Sequence, residues 1–132
     1  MSSGIVSRSP AGSARTARCI EWKDPHDDEP RFSLAVEYRS RGRTLVQLGG
    51  ELDIAGLGSL RRLLYALVEE GRGVLLDLRA LRFVDVPGVR LLVDLAALAR
   101  RRDCDLAMTG AGGEVARVLD LTRVRPLLPM MA

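Results

Sequence analysis

The chain has 132 residues, 47% of them hydrophobic, a net charge of +3 and only 4% aromatic residues. That length suits one domain whose core removes roughly two-thirds of the unfolded surface from water. The scarcity of aromatic rings argues against the stacking platforms of single-strand nucleic-acid binders, and the basic residues are arginines except Lys23, scattered as a solvated surface.

Residues 1–30 are rich in Ser, Gly, Pro and charge and carry no periodic apolar stripe. They are expected to form a disordered N-terminal tail ahead of a domain over residues 31–132. The tail holds no apolar run of about seven residues that could serve as a secretory core, and no stretch approaches the ~18 apolar residues of a membrane span. A cytoplasmic protein with no membrane partner is therefore expected. Cys19 and Cys104 have neither the number nor the spacing of a disulfide framework or a zinc site.

From Phe32 to Tyr38, Phe32, Leu34, Val36 and Tyr38 alternate with more polar positions, as in a strand with one buried face. The polar turn RSRGR, with Gly42, leads into a second strand, TLVQLGG, and the two read as a hairpin. After an expected loop, ELDIAGLG, Ser59 is placed to cap a helix whose Leu60, Leu63, Leu64, Leu67 and Val68 share one stripe and which Gly71 closes. VLLDL reads as a short buried strand. The stretch RFVDVPGVR turns into a second helix, from about Pro87 to Arg102, with Val89, Leu92, Leu95, Ala96 and Ala99 inward and Arg100–Arg102 complementing the dipole at its end. Strand DLAMTG and helix EVARVLDLT follow. Strands joined through helices should be parallel, so the order predicts an α/β fold with a mixed four- to five-stranded sheet.

The segment TGAGGE, Thr109 to Glu114, sits between a strand and a helix where a phosphate-binding turn would lie, but Val115 stands where a dinucleotide fingerprint needs Gly or Ala, and no Gly-Lys-Ser or Gly-Lys-Thr occurs. It reads as a tight turn. The acids Glu51, Asp53, Asp77 and Asp85 fall at strand ends, yet His26, in the tail, is the only histidine and no nucleophile accompanies them. Capping and loop hydrogen bonds account for Glu51 and Asp77. Asp53 and Asp85 are expected on one rim of the sheet, and Asp85 is placed to accept hydrogen bonds from the amides of the helix it precedes. With Val86 and Val89 as apolar neighbours, that rim can dock another protein. No catalytic residue, metal site or cofactor is expected.

Three blocks, GELDIAGLGSLRRLLYAL, GVLLDLRALRFVDVPGVRLLVDLAAL and DLAMTGAGGEVARVLDLTRVRPLLP, resemble STAS domains of the anti-sigma factor antagonist type over about residues 32–130. The resemblance implies a STAS fold without catalysis, and binding to an anti-sigma factor that is also an ATP-dependent serine kinase, which releases a sigma factor. In that family a tip resembling Asp-Ser-Ser-Gly is phosphorylated to switch binding off. Here the matching residues are Asp85, Val86, Pro87 and Gly88, so the phosphate acceptor is missing. The implied partner-binding residues are Asp53, Gly56, Asp85, Val86, Pro87 and Gly88. An alternative is a diverged STAS module that serves as a scaffold or whose positive helix starts hold a nucleotide or other anion.

Overall fold

Phe32, Leu34 and Val36 share one face of a strand, and the structure buries all three. The computed structural model describes residues 4–8, 17–23, 30–52 and 54–131. In chain order these form strands β1 (Gly4–Arg8), β2 (Ala17–Lys23), β3 (Pro30–Tyr38) and β4 (Arg43–Leu52), helix α1 (Ile54–Glu69), strand β5 (Gly73–Val84), helix α2 (Val86–Arg101), strand β6 (Leu106–Thr109), helix α3 (Gly113–Leu121) and a 3-10 turn at Arg125–Leu127. The sheet runs in sequence order from β1 to β6.

β3 and β4 are antiparallel, with Leu34 opposite Leu48 and Val36 opposite Val46. Their turn takes Arg41 and Gly42 through φ of 63° and 68°, the left-handed pair of a type I′ hairpin. β4, β5 and β6 are parallel, as the intervening helices require. Two right-handed crossovers stepping the same way across the sheet place α1 and α2 on one face. The core lies there, with Val46, Leu48, Leu76, Leu78 and Met108 of the sheet packed against Leu60 and Leu64 of α1, Leu92 and Leu95 of α2, and Val115 and Leu119 of α3. Burying each such leucine contributes about 1.5–3 kcal/mol.

Three expectations need correction. Between Pro30 and Thr109 the sheet has the four strands expected, but β1 and β2 extend it to six at the β3 edge, so the tail reading of residues 1–30 does not hold over Gly4–Arg8 and Ala17–Lys23. β2 joins β3 and β1 joins β2 through backbone groups, which an open strand edge offers to any extended segment, and the only alternation that announces it is the short Ile20 and Trp22 pair opposite Leu34 and Phe32. Second, α1 begins at Ile54, which puts Ser59 inside the helix and makes most of the expected loop helical. Leu57 continues the stripe of Leu60 and Leu64 against the core, and that packing outweighs Gly56 and Gly58.

Third, β5 runs to Val84, well beyond VLLDL. Gln47 pairs with Asp77 but Gly49 with Ala80, and Gly50 pairs with Leu81 but Glu51 with Phe83, so β5 twice carries one more residue than β4. These bulges change the spacing of buried residues from two to three, giving Leu78, Leu81 and Val84. A reading keyed to period two ends the strand at the first bulge.

Candidate docking site at the rim of the sheet

Parallel strands carry all three helix starts to one rim, at the C-terminal ends of β4, β5 and β6. The first two joints touch directly, because the Asp85 N–H donates to the Leu52 carbonyl at 3.3 Å. Asp53, the next residue after Leu52, lies outside the described residues, and Gly56 is in the first turn of α1.

Asp85 is the N-cap of α2, with extended φ and ψ of −89° and 178°. Its Oδ1 accepts the Gly88 N–H at 2.9 Å, while its carbonyl accepts the Val89 N–H at 2.9 Å. The expected capping role of Asp85 is therefore present. The helix starts one residue earlier than expected, at Val86, and Pro87 stays in the first turn, where its missing donor leaves no bond unmade.

The tip these residues form is apolar and open. Val86 is 67% exposed, Phe83 at the end of β5 is 39% exposed, and Pro87 is exposed. Gly88, by contrast, is buried: a Cβ there would meet Val84 Cγ2 at 2.6 Å and Leu52 Cδ2 at 3.4 Å. Of the six residues expected to bind a partner, Val86 and Pro87 thus offer free surface. Asp85 is half-buried with one carboxylate oxygen engaged, and Gly88 lets the first turn sit close against β4 and β5. Arg82 and Arg90 flank the tip and are exposed. The sequence reading did not single out Phe83 or these two arginines, although an aromatic ring between Arg82 and Val84, just before the helix start, was the available signal.

The β6–α3 joint is built differently. Gly112 caps α3 with no side-chain hydrogen bond, and Gly110 turns the chain at a φ of +83°, pressed against the Arg79 side chain. Glu114 in the first turn pairs with Arg117 at 3.0 Å, and its negative charge opposes an anion there. Asp77, opposite Thr109, is buried and takes the Arg79 side chain at 2.8 Å and the Arg79 N–H at 3.0 Å. The Arg79 hydrogen bond holds the Asp77 carboxyl below its ordinary value, with burial opposing. Asp77 thus ties down the first bulge of β5, the structural role expected of it. Among the described residues no group of three or more His, Cys, Asp or Glu could hold a metal, and no helix is long and apolar enough to cross a membrane.

No curated protein matches the sequence. Solved structures do match in fold. An anti-sigma factor antagonist from Mycobacterium paratuberculosis is 22% identical with a TM-score of 0.63, over 82% of this chain and 88% of that one. The Bacillus cell fate determinant SpoIIAA in its phosphorylated form is 17% identical with a TM-score of 0.60, over 75% and 91%. An anti-sigma-factor antagonist (STAS) domain protein from Planctomyces limnophilus is 16% identical with a TM-score of 0.59, over 75% and 88%. With the family model described as "Mlab, STAS domain" matching residues 36–129, the chain belongs to the STAS domain family.

Proposed function

We propose that this chain is an anti-sigma factor antagonist-like protein that docks an anti-sigma factor of the serine-kinase type through the start of α2 and so releases a sigma factor. It acts by binding, without catalysis or cofactor, in the cytoplasm. The observation that carries this reading is the exposed Val86 at a helix start whose cap is already satisfied. Covering such a tip takes water from only one Asp85 carboxylate oxygen, because the other keeps its bond to Gly88 inside the chain. Val86, Pro87 and Phe83 then supply apolar area at the centre of a contact.

Phosphorylation at this place would add about −1.5 to −2 charges. Neither Val86 nor Pro87 has a hydroxyl to receive it, so binding at the tip is not switched by modification there. A protein of the same fold has been solved in a phosphorylated form, and in this reading the missing acceptor is where the present chain departs from that regulation. The anion-sensor alternative finds less support, since Asp85 already occupies the start of α2 and Glu114 that of α3.

The test is calorimetric titration of kinase-type anti-sigma factors from the same genome against the wild type and Val86→Asp. Val86 is the better probe than Asp85, whose replacement also removes a cap. A carboxylate buried at the contact centre should weaken binding at least 100-fold, equivalent to about 2.7 kcal/mol. With kinase and ATP, Val86→Ser should become labelled while wild-type residues 82–90 stay unlabelled. Absence of binding by the whole panel, or equal affinity for Val86→Asp, rejects the proposal.

A further inference from the structure

Arg82 and Arg90 bracket the apolar tip. Arg82 is the unpaired extra residue of the second β5 bulge, between Leu81 and Phe83. Arg90 lies one helical turn beyond Val86, a spacing that sets the two side chains on the same stripe of α2. Both are exposed. Five other arginines pair with nearby acids, as Arg39–Glu37, Arg61–Asp94, Arg79–Asp77, Arg117–Glu114 and Arg125–Asp120, and what sets Arg82 and Arg90 apart from the remaining arginines is their place beside the exposed Val86, Pro87 and Phe83. Arg82 and Arg90 have no acidic partner among the described residues. The nearest acid in the chain, Asp85, is turned to the Gly88 amide, and the exposed carboxylate of Glu51 lies across the ladder from Phe83. Asp53, at the neighbouring joint, is outside the described residues.

We infer that the partner's receiving face is acidic: an apolar recess for Val86, Pro87 and Phe83, edged by carboxylates that meet Arg82 and Arg90. This rests on the docking reading above and adds the chemistry of the partner. Guanidiniums beside an apolar centre attract an acidic surface during encounter, and charge at the edge of a contact acts chiefly on the association rate and its salt dependence. The arginines therefore select the partner, while the apolar centre sets how long it stays. A protein surface suits the tip better than a nucleic acid, because Phe83 is its single aromatic ring and apolar residues occupy its middle.

The experiment measures association and dissociation rates of the full chain with the same anti-sigma factors at low and high salt, for the wild type, Arg82→Glu/Arg90→Glu, Val86→Asp and a control, Arg101→Glu/Arg102→Glu, at the far end of α2. Circular dichroism melts confirm that each variant folds. The tip reversal should slow association at least tenfold at low salt and flatten the salt dependence. Val86→Asp should mainly speed dissociation, and the control should stay within about twofold of the wild type. If Val86→Asp weakens binding while the tip reversal changes neither association nor salt response, the acidic-partner inference fails and the docking reading stands. If neither variant matters, or no anti-sigma factor binds, both fail. A parallel titration with duplex DNA should show no binding, and DNA binding abolished by the tip reversal would instead give the arginines to a nucleic acid and overturn the inference.

Discussion

The two joints that follow β5 and β6 both turn a parallel strand into a helix at the same rim, yet they solve the start of the helix in opposite ways. At β5–α2 a carboxylate caps the helix, a glycine packs against the strands, and apolar side chains face outward. At β6–α3 glycines make the turn, the cap has no side chain, and the first turn carries its own acid. A helix start whose polar demand is met internally is free to present an uncharged surface, whereas one left open presents amides that water satisfies. The proposed docking at the first joint rests on that contrast.

Replacing the packed glycine should produce the largest effect. Gly88→Ala forces a methyl group onto Val84 and Leu52, and a differential scanning experiment should show a loss of about 1–3 kcal/mol. Gly112→Ala at the other joint has nothing nearer than the Gly110 carbonyl at 4.0 Å and should stay within about 0.5 kcal/mol. Equal losses at the two glycines would erase the comparison. Next, Asp85→Ala removes the cap and should lower stability by about 1 kcal/mol, read from urea unfolding, while leaving Val86 on the surface.

The Asp77–Arg79 pair beneath the second joint adds a pH signature. Because the folded-state value of Asp77 is depressed, its stabilising contribution is complete above the unfolded value near 3.8 and disappears as pH falls through the folded value. The Tm advantage of the wild type over Asp77→Asn should therefore be widest above pH 3.8 and close below it. It should also narrow with salt, since Arg79 is 73% exposed. An advantage that grows on acidification would contradict the assignment. The smallest effect is expected from Gly112→Asp, which gives α3 the cap that α2 already has and should raise stability by a few tenths of a kcal/mol.

Much of this was legible in the sequence. Alternation in β3 and β4, the Arg41–Gly42 turn, the leucine stripes of α1 and α2, and the Asp85–Pro87 helix start all follow local rules that the structure obeys. The far half of β5 was hidden because its two bulges shift burial from every second residue to every third. β1 and β2 were hidden because they join the sheet by backbone pairing along its edge, β2 with β3 and β1 with β2. At the site, the capping role of Asp85 could be read from type and position. The burial of Gly88 and the exposure of Phe83 could not, since both depend on how closely α2 approaches the ends of β4 and β5.

The central claim, that the start of α2 is the surface a partner covers, is met most directly by amide hydrogen exchange of the chain with and without a saturating kinase-type anti-sigma factor. The account predicts slowed exchange concentrated in residues 82–90. Protection confined to the opposite face of the sheet, around Leu45, Leu75 and Ala107, with residues 82–90 unchanged, would contradict it.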